Sequence, residues 1–344
     1  MREEVYRATQ GKIDFFQTPK FVRIARYGKK IQMNEGVCPA YSDCRMGLSP
    51  DRFILSYCDR ALGITSAEEQ PVLPKGNNLS LHLLELFTSQ VAKVGMTDGI
   101  RQVLQEESDA LRAYYEQAGI LIARPAGGTS CRLAISAKGG TNAENHNHND
   151  VGSYAVALGS ETMVGDQGGP NSYPGDYFNG DAPQKYKIKG SFGHPVPVVD
   201  GRTQSSGGKA KGVVLQKEFT NEKDVFSIDY TSAYSTPNLD KLIRTFVYDR
   251  QGEGNFTVGD EFTAKTPIRF ETAITTRADW KILDDTHLLL ATDSEQMIVA
   301  IEASGKVAFT SETIEVNSPA YTRIGIALKN QSKEGYIRLK MYTK

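Results

Sequence analysis

The chain of 344 residues holds one Trp, four Cys and almost no charge imbalance, with 40 Lys and Arg against 41 Asp and Glu and a formal net charge of −1. That balance excludes a protein that grips nucleic acid through bulk positive charge, while leaving room for a local basic patch. Cys38, Cys44, Cys58 and Cys131 form no CxxC pair and lack the density of a small disulfide scaffold. They read as free, buried thiols and leave the compartment open. No run of apolar residues is long enough for a membrane-spanning helix, so no membrane span is expected. Met1-Arg2-Glu3-Glu4-Val5-Tyr6 has no basic segment leading into an apolar run, so this chain reads as carrying no secretory signal. What remains is the composition of a soluble globular protein, 39% hydrophobic and 24% charged, long enough for a large core and two domains.

The first 119 residues read as helical. Thr18-Pro19 opens a helix that Gly28 closes, and Ser49-Pro50-Asp51 repeats the device before a face of Phe53, Ile54, Tyr57, Cys58, Ala61 and Leu62, with Gly63 as its stop. A third helix follows Thr97-Asp98, with Ile100, Val103, Leu104, Leu111 and Tyr114 at helical spacing and Gly119 at its end. Residues 70–78 read as a loop and 79–91 as another helix. Beyond Gly119 the texture changes, because 16 of the 32 Gly lie between Gly127 and Gly208 among short β-branched runs. Strands are predicted over 153–158, 196–199, 225–230, 242–248, 268–273 and 336–342. The last alternates Tyr336, Arg338, Lys340 and Tyr342 against Ile337, Leu339 and Met341. No helix-length pattern separates these strands, so antiparallel sheets in a large sandwich over 120–344 are expected.

The chemistry concentrates in three of the five His. His146 and His148 lie in Asn145-His146-Asn147-His148-Asn149-Asp150, and His194 in Gly193-His194-Pro195-Val196. In an extended segment an HxH pair projects both imidazoles to one side, a geometry suited to a metal or to a paired acid–base site. Asp166, in Gly165-Asp166-Gln167-Gly168-Gly169, offers the carboxylate that with imidazole makes a zinc-type ligand set. A lone HxH in a Gly-rich loop more simply satisfies turns. The Asn/Asp interleaving and the third His shift the reading to a site. Gly140 followed by His146-Asn147-His148 imitates the start of a cupin metal signature, but Gly152 and Ser153 stand where its Glu is needed. An HNH-nuclease reading fails because its residues belong to separate elements.

The fuller likeness lies elsewhere. His146-Asn147-His148-Asn149-Asp150-Val151-Gly152-Ser153-Tyr154 followed by Gly165-Asp166-Gln167-Gly168 resembles the central block of the heparinase II/III-like polysaccharide lyases. The stretch from Tyr186 through Gly190-Ser191-Phe192-Gly193-His194-Pro195 to Asp200-Gly201-Arg202-Thr203-Gln204 is similar to that family's downstream block, with Pro195 in place of its usual Asn. Arg244–Tyr248 and Phe256–Phe262 are similar to its later strand pair, so the likeness spans about residues 140 to 275. Val37-Cys38-Pro39-Ala40-Tyr41-Ser42-Asp43 resembles a loop near the end of its helical domain.

The resemblance implies an α+β multidomain chain. Residues 1–119 would be the C-terminal part of an (α/α) toroid and 120–344 an antiparallel β-sandwich, with a cleft between them. It implies β-elimination on a uronate-containing acidic polysaccharide such as heparan sulfate. His146 is then the catalytic imidazole, and His148, Asp166 and His194 hold one divalent, zinc-like ion of mainly structural role. Imidazole suits a base because its ordinary pKa of about 6.5 lies near working pH. Asn145, Asn147, Asn149 and Asp150 would orient the imidazoles. The family's catalytic Tyr finds no clear counterpart, and Tyr6 and Tyr41 read as packing residues. Lys185, Lys187, Lys189, Arg202, Lys209 and Lys211 form either a glycan-facing patch or a solvated strand face. His82 reads as a half-buried helix residue, His287 as a surface one and Trp280 as core. No nucleic-acid partner is expected, a homodimer is allowed, and the family's periplasmic or secreted setting is carried over. A closed toroid takes about ten helices, whereas residues 1–119 hold only roughly 4–6 of average length, so a truncated helical half is expected. The rival from another class is a non-catalytic, metal-stabilised glycan-binding module or an inactive lyase fragment.

Overall fold

The computed structural model describes residues 1–65, 91–108, 111–315 and 319–344. The chain forms two compact units, one of residues 1–32 and 49–110 and a second of 33–48 and 111–344.

In the first unit the described helices are α1 (Arg2–Ala8), α2 (Pro19–Lys30), α3 (Arg52–Ala61) and α4 (Asp98–Ser108). The apolar faces of α2, α3 and α4 meet, with Phe16 and Val94 from the connecting segments, in a small core of Phe16, Val22, Cys58, Ala61, Leu62, Val94, Ile100 and Val103. Asp51 caps α3 by accepting from the amides of Phe53 and Ile54. Gly28 does not end α2, which runs two residues further. A Cβ at Gly28 would stand 3.0 Å from Leu55 and 3.2 Å from Pro50, so this glycine permits close helix packing instead. A toroid is not evident among the described residues. The expected 70–78 loop, nearly all of the 79–91 helix, and His82 fall outside them.

The expected third helix is shorter than its pattern. Leu111 and Tyr114 do not continue α4, because Arg112–Tyr115 is strand β1 and Gly119 sits in the turn to β2 (Ile120–Ala123). Tyr114 packs edge-on against Phe219 and Phe226, each 5.8 Å away, and this tertiary packing overrides the helical spacing. The strand-rich part therefore begins near 111 rather than 120, and it recruits residues 33–48 from the stretch expected to be helical.

The second unit is mostly β. After β2 come β3 (Leu133–Lys138), β4 (Thr141–Asn142), β5 (Tyr154–Leu158), β6 (Glu161–Gly165), the short helix α5 (Ala182–Lys185), β7 (Val198–Val199), β8 (Gly207–Lys211), β9 (Val213–Phe219) and β10 (Lys223–Asp229). They are followed by β11 (Leu239–Asp249), β12 (Asn255–Ile268), β13 (Phe270–Thr276), β14 (Asp279–Asp284), β15 (His287–Ala291), β16 (Gln296–Ala303), β17 (Val307–Ile314), β18 (Tyr321–Leu328) and β19 (Ser332–Thr343).

Antiparallel sheets of five strands (β1-β2-β3-β5-β6), eight (β14-β15-β16-β19-β12-β11-β10-β9) and four (β17-β18-β13-β7) share one apolar core, consistent with a β-sandwich. The period-two reading holds on β19, where Ile337, Leu339 and Met341 are buried. On β11 and β12 the inward set is Leu242, Arg244, Phe246 and Tyr248 against Phe256, Val258, Asp260 and Phe262, so a charged pair sits among apolar neighbours. Thr275 and Thr276 of β13 donate to the carbonyls of Gly165 and Met163, each at 2.6 Å, and fasten the four-stranded sheet to β6. No helix among the described residues is long and apolar enough to cross a membrane.

Candidate active site

The site forms at one end of the β5–β6 hairpin. Pairing of Ala155 with Gly165 sets the segment entering β5 beside the one leaving β6, which places Ser153 Oγ 3.1 Å from Asp166 Oδ2. A single 3₁₀ turn, Ser191–Gly193, then delivers His194, whose Nδ1 lies 2.8 Å from the same Asp166 oxygen. His148, Asp166 and His194 are all fully buried, and each offers a ligand atom within 4.8 Å of the others.

His146 does not share the face of His148. It occupies the left-handed region at φ +58°, so the segment is not extended and the period-two expectation fails. The His146 side chain is 67% exposed and that of His148 is at 0%. Both nevertheless meet one carboxylate: Asp43 Oδ2 lies 2.6 Å from His146 Nδ1 and Asp43 Oδ1 lies 3.2 Å from His148 Nε2. Asp43 reaches them because Gly168 and Gly169 carry no side chain. A Cβ on Gly168 would fall 1.7 Å from the Cys44 carbonyl oxygen, and one on Gly169 would fall 2.9 Å from Asp43 Cα. Asp43 is not recognisable as a site residue from the sequence, because its loop lies in the stretch expected to be helical. The Gly168-Gly169 pair was the available signal that another backbone comes close.

Electrostatics separates the groups. Burial works to raise the Asp43 pKa, but the hydrogen bonds from His148 and His146 outweigh it and hold the carboxylate below its ordinary value. Burial lowers the His148 pKa more than the Asp43 hydrogen bond raises it, which favours the neutral imidazole. At His194 burial disfavours the charge, yet the Asp166 charge and hydrogen bond raise its pKa. Asp166 is correspondingly lowered by His194 against the effect of its own burial.

The donor pattern suits a metal. With Asp43 accepting at His148 Nε2, the buried Nδ1 of His148 has no hydrogen-bond partner, and the buried Nε2 of His194 has none either. Two imidazole nitrogens without partners beside a buried carboxylate make an N, N, O ligand set of zinc type, and Asp43 holds the far nitrogen of His148 as carboxylates commonly do behind such ligands. Tyr177, fully buried, brings its hydroxyl 3.0 Å from His148 Nε2.

The neighbouring Asn and Asp do not touch the imidazoles as expected. Asn149 donates to the Gln204 carbonyl and to Ser206, while Asp150 accepts from buried Lys138 at 2.6 Å. They shape the loop. Tyr41 is a packing residue that also bonds Ser136 through its hydroxyl at 2.7 Å. The six basic residues part company: Lys185 pairs with Asp176, Lys187 with Glu312, and buried Lys189 donates to the Tyr177 carbonyl. Arg202, Lys209 and Lys211 are exposed. His287 is a surface residue beside Asp284, and Trp280 packs partly against the core. All four Cys are free, with Cys58 and Cys131 buried and Cys44, next to Asp43, exposed against expectation.

No protein-family model and no curated protein sequence matches the chain. Solved structures do. A heparinase III gene product superposes with a TM-score of 0.63 at 12% identity, covering 93% of this chain and 45% of its own. Another crystal structure of heparinase III gives 0.61 at 16% identity, covering 94% and 48%. The heparan sulfate lyase HepC from Pedobacter heparinus gives 0.62 at 12% identity, covering 96% and 53%. The likeness is one of fold. The chain spans about half the length of these neighbours.

Proposed function

We propose that the chain is a polysaccharide lyase acting on a uronate-containing acidic glycan by β-elimination. The observation that supports it is the Asp43 carboxylate 2.6 Å from Nδ1 of an exposed His146. In the neutral ring that contact places the proton on Nδ1 and leaves Nε2 as a free lone pair on an exposed side chain. In this reading His146 Nε2 removes the C5 proton of the uronate, the C5–H electron pair forms the C4–C5 double bond, the C4–O4 bond breaks, and the departing O4 takes a proton from water. The imidazolium so formed is stabilised by the adjacent carboxylate, as in other His–Asp pairs. His148, Asp166 and His194 would hold one divalent ion of zinc type. Bound there, it would supply positive charge and a fixed framework at the buried end of the site. Work on an extracellular glycan would set the protein in the periplasm or outside the cell.

The test is incubation of metal-loaded protein with heparan sulfate, chondroitin sulfate and alginate, following ultraviolet absorbance of the unsaturated product. Turnover that disappears in His146→Ala supports the reading, and no product on the whole panel overturns it. Elemental analysis gives an independent readout. One ion per chain is expected, absent from His194→Ala and retained in His146→Ala, and an unchanged metal content in His194→Ala would remove that ligand from the set.

A non-catalytic glycan-binding module is the second reading. It is favoured by one observation: the tyrosine hydroxyl at the paired imidazoles, that of Tyr177, is buried and bonded to His148 rather than to the exposed His146. Glycan affinity without product, indifferent to His146→Ala, would support it.

A further inference from the structure

Beyond Gly169 the chain runs Pro170-Asn171-Ser172-Tyr173-Pro174-Gly175-Asp176-Tyr177-Phe178 before turning into α5. This segment is pinned from below. Tyr177 is fully buried with its hydroxyl on His148, and the Lys189 ammonium donates to the Tyr177 carbonyl at 2.6 Å. The same ammonium lies 4.5 Å from the Tyr177 ring centre and 5.0 Å from that of Phe178, so both rings rest on a buried cation. Above this base two large rings stand in solvent. Tyr173 is 40% and Phe178 56% exposed, with centroids 5.0 Å apart. Phe178 meets the exposed His146 ring edge to face at 5.7 Å.

Large apolar rings held in water beside a reactive imidazole, on a segment too well anchored to fold them inward, point to a ligand that covers them. The ligand's chemistry follows from the neighbours. An aromatic face is electron-rich and pairs with the weakly positive C–H face of a pyranose, while leaving the sugar hydroxyls in solvent. Arg45 is exposed, lies two residues from Asp43, and is bridged through its backbone to Gly168. No carboxylate stands within ion-pair distance of its guanidinium among the described residues. A planar fork of this kind suits a carboxylate or sulfate.

We propose that Tyr173 and Phe178 form a stacking subsite for a pyranose ring of an acidic glycan, adjoining the ring on which His146 acts, with Arg45 receiving that glycan's anionic substituent. This deepens the lyase reading and rests on it for the role of His146 alone.

Both rings are exposed, so their replacement should not unfold the protein. Equilibrium dialysis of the full chain against fluorescently labelled hexasaccharides of heparan sulfate, chondroitin sulfate and polymannuronate, with maltohexaose as the neutral control, reads the subsite. Phe178→Ala and Tyr173→Ala should each weaken acidic-hexasaccharide binding by about three- to tenfold with an unchanged melting temperature. Arg45→Gln should erase the preference for acidic over neutral hexasaccharide. Wild-type affinity in Phe178→Ala, or no binding by the wild type to any acidic probe, overturns the subsite. Equal binding of maltohexaose overturns the role of Arg45. Binding that depends on Phe178 without any unsaturated product defeats the lyase reading and leaves the subsite standing. Turnover with an unchanged KM in Phe178→Ala does the reverse.

Discussion

The Asp43 carboxylate faces two imidazoles in opposite surroundings, one in solvent and one fully buried. Its chemical value lies in being an acceptor only: ionised, it fixes which nitrogen of each ring carries the proton. An amide of the same shape presents a donor on one side and leaves one ring in the wrong tautomer. Asp43→Asn is therefore expected to fold normally and to lose about a hundredfold or more in kcat/KM, measured by the ultraviolet assay with circular dichroism as the control for folding. None of this was visible in the sequence, where Asp43 and His146 stand 103 positions apart. That His148, Asp166 and His194 come together was legible, because each sits in a short polar motif beside a strand or turn; their holding an ion is the proposal made above. Their convergence required no long-range guess beyond one hairpin and one turn.

At the scale of elements, β11 and β12 carry the groups that hold the site's backbone. Arg244 pairs with Asp260 through Nε and Nη2 at 2.7 and 2.6 Å, and its Nη1 donates to the carbonyls of Gly152 and Pro195, both at 2.7 Å. Those carbonyls belong to the segments that bear His148 and His194, so one buried guanidinium ties both to the sheet. Arg250, the residue immediately after β11, offers a control. It is equally buried, pairs with Asp224, and donates to the Arg124 carbonyl beside β2, away from the imidazoles. Lys in either position keeps the charge but loses the fork. Arg244→Lys and Arg250→Lys should cost similar stability, roughly 2–4 kcal/mol by denaturant titration. Only Arg244→Lys should weaken metal affinity, by about ten- to a hundredfold in chelator competition. Strand alternation on β19 was readable because period two tracks burial directly. The ends of α2 and α4 were not, since Gly28 serves a neighbouring helix and Tyr114 packs across strands.

At the scale of the molecule, two units with separate cores divide the chain. His148, Asp166 and His194 all lie in the β unit, so an ion held by the proposed set would stabilise that unit and not the helical one. At an ion concentration about a hundred times its Kd the contribution is about 2.7 kcal/mol. Stripping divalent ions with a chelator is expected to lower the unfolding temperature of the β unit in scanning calorimetry and to leave the helical unit's transition in place. A uniform shift of both would contradict that assignment. The sandwich class was legible in the sequence from strand patterning alone. The reach of residues 33–48 into the β unit was not, because no local pattern marks a segment that crosses from one unit to the other.

The left-handed backbone of His146 bears on how such a protein can change over time. A non-glycine residue at φ +58° stores roughly 1 kcal/mol of strain, which glycine would relieve. His146→Gly is thus expected to raise the melting temperature slightly while abolishing turnover, and a lowered melting temperature would refute it. In the proposed lyase, stability and turnover would pull in opposite directions at this position. A lineage released from selection for turnover would be expected to lose this histidine early, and a stabilisation campaign blind to activity would be drawn to replace it.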